Sequence, residues 1–338
     1  MRVTIKDVAK AAGVSPSTVS RVINNVPGIG DEMRTRVRAL MKEMDYRPDL
    51  NARSLVKRQT GNIALIVPRG MFFVFSNPFF ALVMEGIGEV LDDYEYNYLF
   101  CSSPKQHRRM FQSRVVDGTI LFAVRLGDPY IYQAESGELP TVLVGSYLDT
   151  SPIPFVRPDD EGGIYEAVKH LADLGHRRIA LLNGPLSSIK SVKSLDGYRK
   201  AVVDFDLDYD DDVLVHSLEF TAEAGYSGGM TLFGGKNPPT AIVCSSDLIA
   251  YGAMKAASDC GVRIPTQCSV VGFGDFPLSG FLNPPLTTMR TPLREMGLQA
   301  GHLLHGLMNG QEMPQKRVVV PTTLVARGST SAPAMRTT

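Results

Sequence analysis

Ser17, Ser20, Arg21 and Asn24, spaced along SPSTVSRVIN (15–24), make a wholly polar stripe that carries one guanidinium. On a helix, such a stripe fits the major groove of duplex DNA, where an arginine can bond bidentately to guanine. The helix needs an apolar side to rest on, and Val19, Val22 and Ile23 supply it. Ser15 offers an N-cap and Pro16 a suited first-turn residue. Upstream, TIKDVAKAAG (4–13) sets Thr4 and Asp7 at the spacing of a capping box and Gly13 where a short helix stops. Ile5, Val8, Ala9 and Ala12 recur at helical spacing and give that segment one apolar face. A third amphipathic stretch, 31–44, turns Met33, Val37, Leu40, Met41 and Met44 inward, with Arg34, Arg36 and Arg38 among its outer residues. The pattern predicts a three-helix headpiece over residues 1–46 that contains a helix-turn-helix.

Any small helical domain has one polar and one apolar face, so the pattern needs support from charge. Residues 1–60 hold twelve Lys/Arg against six Asp/Glu, a net of +6, while the whole chain balances at 35 against 35. A basic excess confined to the first sixth of the chain is the footprint of polyanion binding. Residues 47–60 continue it. A helix over 49–57 is too short to stand alone, and Leu50, Ala52, Leu55 and Val56 have no evident core to join. Such a hinge folds when held against DNA and a partner copy, and an exposed leucine among Arg53, Lys57 and Arg58 can wedge open a minor-groove base step. A solvated linker is the plain alternative.

The run DVAKAAGVSPSTVSRVINN followed by RPDLNARSL resembles the headpiece and hinge of the LacI/GalR family of bacterial transcriptional regulators. The resemblance extends over nearly the whole chain through VDG (116–118), LGHRRIALLNGP (174–185), PTAIVCSSDLIAYGAM (239–254), GVRIPTQCSVVGF (261–273) and NPPLTTMRTP (283–292). It implies that Pro16, Ser17 and Arg21 read bases, and that Thr4, Ser15, Thr18, Ser20 and Asn24 contact phosphates. It also implies that Leu55 is the wedge, with Ala52 one helical turn before it. Pro16 lacks a side-chain donor, so specificity is expected to lean on Arg21 and on DNA deformation at Leu55.

The remaining 275 or so residues are too many for one simple core. Short apolar runs at 63–67, 96–101, 119–124, 141–144, 178–182, 213–216, 241–244 and 270–273 alternate with helical patterns at 78–94, 161–174, 190–204, 248–261 and 293–308. This alternation predicts two doubly wound parallel α/β lobes, with a ligand cleft at the carboxyl ends of their strands. The resemblance implies a periplasmic-binding-protein-like arrangement. Lobe 1 then spans about 61–157 and 290–316, lobe 2 about 158–289 and 317–330, and 331–338 is a disordered tail.

For the cleft, the resemblance implies that Phe79 and Phe80 contact effector from lobe 1 and that Phe220 stacks on it from lobe 2. Core packing is the competing role for the two adjacent phenylalanines. Ser246 and Asp247 fall at the end of a cleft-facing strand. Sugar-binding relatives grip hydroxyls with charged groups. Here Gly145, Ser194 and Gly274 stand at three such positions, with Asp275 next to the last and Lys190 and Lys193 near the second. The segment 68–80 is longer than the family's usual loop by a Met71-Phe72-Phe73-Val74-Phe75 cluster, and the helix at 104–114 is shorter. A ligand less polar than a simple sugar follows, or a cleft that has lost its ligand. Lys190, Ser194, Ser246, Asp247 and Asp275 complete the candidate effector set.

Several patterns carry no chemistry. GYSGG (225–229) has nucleophile-elbow spacing, but no strand ends at its serine and it reads as the start of a helix. FGGK (233–236) lacks the Ser/Thr of a phosphate loop. His302 and His305 have no third ligand in view, so no metal and no cofactor are expected. The four cysteines show no C-x-x-C spacing and read as reduced thiols. No apolar run of eighteen residues and no signal region occur, so a soluble, cytoplasmic protein is expected. The reading is a repressor rather than an enzyme: a homodimer, with a tetramer left open, that binds a near-palindromic operator under control of a small-molecule effector. A cytoplasmic solute sensor of the same two-lobe fold, without operator binding, is the alternative.

Overall fold

The computed structural model describes residues 3–23, 25–46, 59–103, 110, 115–145 and 148–334, in two compact units, 1–61 and 62–338. The first unit holds helices α1 (Ile5–Ala12), α2 (Pro16–Ile23) and α3 (Asp31–Glu43). Val8, Ala9, Ala12, Val19, Val22 and Val37 are buried in one cluster, with Ile5, Ile23, Met33, Leu40, Met41 and Met44 half-buried around it. The predicted inward residues therefore do form the core, and α1 stops at Gly13 with φ of 70°. The predicted hinge residues 47–58, including Ala52 and Leu55, lie outside the described residues, as do Asn24 and most of 104–114.

The second unit begins with β1 (Asn62–Ile66), α4 (Met71–Ser76), α5 (Pro78–Leu91), β2 (Asn97–Cys101), β3 (Gly118–Phe122), α6 (Tyr130–Glu135), β4 (Thr141–Val144) and β5 (Phe155–Pro158). It continues through α7 (Asp160–Asp173), β6 (Ile179–Asn183), α8 (Ile189–Asp204), β7 (Leu214–His216), α9 (Ala222–Phe233), β8 (Ala241–Cys244), α10 (Asp247–Asp259) and β9 (Ser269–Gly274). Last come β10 (Thr287–Arg290), α11 (Leu293–Met308), β11 (Arg317–Val320) and β12 (Thr323–Val325).

Two six-stranded sheets result, ordered β11-β5-β4-β3-β1-β2 and β12-β10-β9-β8-β6-β7, parallel except at the β10–β12 edge. The inner strands GTILF, TVLV, IALLN, AIVC and SVVGFG are buried along their whole length. Helices cover both faces, so these strands have no wet side and read as unbroken apolar runs. In lobe 1 one face packs on α5 and α11 through Val83, Ile87, Met296 and Leu304, the other on α6 through Tyr130 and Ile131. In lobe 2 the faces are covered by α7 and α8 (Ile164, Leu195, Tyr198) and by α9 and α10 (Leu232, Ile249, Ala253).

Two boundaries differ from expectation. The strand Arg317–Val320 pairs with β5 in the lobe 1 sheet, so the third crossing between lobes follows Val320 rather than preceding Arg317. The edge strand buries only Val320 and has charged Arg317 at its exposed start, which hid its place. The carboxyl-terminal segment also docks. Ser329 is fully buried and donates to the carbonyl of Val270, and the Ser331 amide donates to Ser269 Oγ at 3.1 Å. His176 anchors it too, within 3.0 Å of Thr240 Oγ1, Ser269 Oγ and the Ser331 carbonyl. Only 335–338 of the expected tail lie outside the described residues.

Candidate functional site

On α2, Pro16, Ser17 and Arg21 are exposed while Thr18 and Ser20 are half-buried. Ser15 Oγ accepts the Thr18 amide at 3.1 Å and lies 2.6 Å from Ser17 Oγ and 2.9 Å from Thr18 Oγ1. Three hydroxyls thus gather at a helix N-terminus, where unpaired amides favour an anion. Thr4 is committed elsewhere: its amide and hydroxyl donate to the Asp7 carboxylate at 2.8 and 2.7 Å, and these bonds hold that carboxyl below its usual range. Two of the three outer arginines of α3 serve the loop after α2. Arg34 and Arg38 donate to Asn25 Oδ1 at 3.3 and 2.7 Å, and Asn25 adopts a left-handed φ of 51°. Arg21 donates to no described residue, which leaves its guanidinium available.

The second site is a cavity of about 110 Å³ between the lobes. It lies at the carboxyl ends of the strands because the loops that follow them are the only backbone there free to diverge. Six phenylalanines line it: Phe73, Phe79 and Phe80 from lobe 1 and Phe220, Phe273 and Phe276 from lobe 2. Phe80 is 2% exposed and packs edge-on against Phe73, Phe79 and Phe122, so it is a core residue that shows one edge to the cavity.

The charged lining is internally paired. Arg69 meets Asp128 at 3.1 Å, Lys190 Nζ lies 2.7 Å from Asp160 Oδ1 and 3.9 Å above the Phe273 ring, and Arg125 reaches across the cleft to Glu219. The Leu126 amide donates to the Ser187 carbonyl at 2.8 Å beside that bridge, while Ile189 and Phe276 of lobe 2 enter lobe 1 core clusters. The two lobes are clasped shut.

The structure brings Phe79, Phe80, Lys190, Phe220 and Ser246 to the cavity and leaves three predicted residues away from it. Asp247 is fully buried behind the wall, where it accepts from the Phe276 amide at 2.7 Å and from Ser279 and Thr288 hydroxyls at 2.6 Å. Burial pushes its carboxyl up despite those bonds, and its work is to pin Phe276. Asp275 is held between Arg290 and Arg327 at 2.7 and 2.6 Å. Ser194 is buried within α8 and its hydroxyl has no partner among the described residues.

Gly145 and Gly274 do line the cavity, at φ of 103° and 137°. That backbone is costly for any side chain, and a Cβ on Gly274 would sit 3.0 Å from the Phe276 ring. The missing carboxylates are therefore a consequence of backbone shape as well as of residue choice. Sequence reasoning missed Arg69, Asn77, Arg125, Ser188, Phe276 and Thr291. Each follows the end of a strand or starts a helix, which was the one signal that could have found them.

The decoys resolve locally. The GYSGG run lies inside α9, where Ser227 Oγ donates to the Glu223 carbonyl at 3.1 Å. His305 stacks on Tyr94 with ring centroids 3.6 Å apart. Among the described residues no helix is long and apolar enough to cross a membrane.

Both units of the chain match known families. Residues 4–49 match the model for bacterial regulatory proteins of the lacI family, and residues 168–330 match a periplasmic binding protein-like domain. The chain is 35% identical to the HTH-type transcriptional regulator DegA of Bacillus subtilis (strain 168), over 98% of this chain and 99% of that one. Among solved structures, a lac repressor dimer bound to operator and the anti-inducer ONPF superposes with a TM-score of 0.86 at 28% identity, covering 98% of this chain and 100% of that one. A complex of the regulator CelR with cellobiose gives 0.75 at 29% identity, covering 97% and 100%.

Proposed function

Because the chain belongs to the lacI family of bacterial regulatory proteins, we propose that it acts in the cytoplasm as a homodimeric repressor on a near-palindromic operator, controlled by a small molecule in the inter-lobe cleft. It is a DNA-binding transcriptional regulator with an effector-binding domain, not an enzyme. The observation that carries the proposal is the exposed Arg21 guanidinium of α2, which bonds to none of the described residues.

Arg21, Ser17 and Pro16 read bases, Ser15, Thr18, Ser20 and Asn24 meet phosphates, and by family resemblance Leu55, with Ala52 one helical turn before it, wedges into the minor groove. One headpiece makes too few contacts for high affinity, and two joined in a dimer multiply discrimination. The solved lac repressor is such a dimer on its operator, and CelR holds cellobiose. An effector that favours one closure state of the lobes would couple to operator affinity by about 1–3 kcal/mol, roughly five- to 150-fold.

Gel shift against fragments of the source genome, with and without candidate metabolites, tests the proposal. Selective retention of a palindromic fragment that changes with a metabolite is the expected result. Failure to select any fragment under either condition overturns it.

A further inference from the structure

The cleft's polar groups are nearly all spent before a ligand arrives. Arg69, Arg125 and Lys190 are each neutralised by a carboxylate at the cavity wall. Ser246 Oγ caps the Leu248 amide at 3.3 Å, and Asn77 Oδ1 caps the Phe79 amide at 3.1 Å. Besides the N–H groups of Lys190 beyond the one bonded to Asp160, what remains is the Asn77 side-chain N–H pair and the hydroxyls of Ser188 and Thr291, three groups that line the cavity without a bond to any described residue. A polyhydroxylated ligand closed into this space would leave most of its own hydroxyls unpaired, and each one stripped of water without a partner costs about 1–3 kcal/mol, roughly five- to 150-fold in affinity.

The apolar side of the wall has an identifiable origin. The short helix α4, MFFVFS, stands between β1 and α5 and puts Phe73 against Phe80, with ring centroids 5.9 Å apart at 70°. Its neighbours Phe72 and Phe75 are 85% and 76% exposed, so of the three phenylalanines on this helix only Phe73 turns to the cleft. Across the cavity stand Phe220, Phe273 and Phe276. Rings on both walls suit a flat guest, held by edge and face contacts rather than by charge.

We propose that the cleft takes a small uncharged aromatic ring carrying one or two oxygen functions, and that Phe73 is the residue that selects for it. The oxygens bond Asn77, Ser188 and Thr291, and the ring lies among the phenylalanines. This rests on the effector reading of the cleft given above and names the chemical class it admits.

Calorimetry on the full chain tests it with four probes: 4-hydroxybenzyl alcohol, 4-hydroxybenzoate, ribose and cellobiose. The neutral ring should bind about tenfold or more tighter than either sugar and tighter than its carboxylate analogue. Phe73→Ala should weaken the neutral ring by about threefold to tenfold, and Phe73→Leu by less, with the melting temperature of each variant read as a check on folding.

A sugar or the benzoate binding tightest overturns the proposal, as does no binding of the neutral ring, or an unchanged affinity in a folded Phe73→Ala protein. Fragment selection by gel shift on the same preparation separates the two readings. DNA selected with no ring bound sinks this inference alone, and ring bound with no DNA selected sinks the repressor reading alone.

Discussion

The headpiece and the cleft solve recognition in opposite ways. Helix α2 carries the surface proposed to read bases within eight consecutive residues, and its exposed side chains are separable from the valines that hold it in place. The cleft draws its lining from Arg69 to Leu293, and its residues are at the same time structural: Phe80 is core, Lys190 is bridged, and Phe276 is pinned by Asp247. A local surface can change its specificity by exchanging side chains. An assembled cavity changes only together with the packing beneath it.

That contrast can be broken by experiment, most severely in the core of lobe 2. Tyr198 is fully buried on α8, and its hydroxyl donates to the Ile179 carbonyl at 2.7 Å. Tyr198→Ala should cost the second unit about 3–5 kcal/mol by denaturant unfolding, and weaken ligand binding although Tyr198 does not line the cleft. If affinity survives intact, the cavity keeps its shape independently of the packing beneath it.

Arg21→Ala should do the reverse. Loss of one bidentate base contact costs about 1–3 kcal/mol of operator selectivity by fluorescence anisotropy, with nonspecific binding and melting temperature nearly unchanged. Retained selectivity would remove Arg21 as a reader.

Acid sharpens the contrast at a third level. Burial depresses the pKa values of His170, His176 and His216, all in lobe 2. The unfolded chain takes up protons near pH 6.5 while the folded lobe still refuses them. Their stabilising contribution is thus full above about pH 6.5 and lost as pH falls towards the depressed folded values, at up to about 1.4 kcal/mol per pH unit for each group. The described headpiece has no histidine. Its melting should show no such slope, and His176→Gln should flatten the slope of the second unit.

The smallest effect lies at the clasp. Arg125→Gln removes a bridge whose partner Glu219 is 42% exposed, worth about 0.2–1 kcal/mol. Small-angle scattering should show a larger radius of gyration for the isolated second unit, and an unchanged profile would assign closure to Leu126, Ile189 and Phe276 instead.

The same contrast explains what could be read from sequence. Capping by Thr4 and Ser15, the apolar spacing of α1 to α3, and the unbroken runs of β3, β4, β6, β8 and β9 are local signals, and the structure follows them closely. Strand β5 contains Arg157 and Pro158, β10 is TTMR with buried threonines, and β11 begins with Arg317, so pattern alone passed over all three. Helix α9 was legible only as a helix start at GYSGG, its full extent hidden by Gly225, Gly228 and Gly229. In the cleft, Phe79, Phe80 and Phe220 were legible by resemblance, Ser246 by its place at a strand end and Lys190 by its nearness in sequence to Ser194. Asp247 and Asp275 were misplaced because strand-end position does not say which way a carboxylate turns. Inside the fold, hydrogen bonds to Phe276 and ion pairs to Arg290 and Arg327 decide it.

The bridge from Arg125 to Glu219 has a bearing on how this protein must be assayed. Dissolved ions weaken a part-exposed charge pair just as they weaken the grip of lysine and arginine on phosphate. Raising ionic strength therefore loosens two machines at once, and a plot of operator affinity against salt mixes displaced counterions with a shifted balance of open and shut lobes. Repeating the titration with Arg125→Gln separates the two slopes.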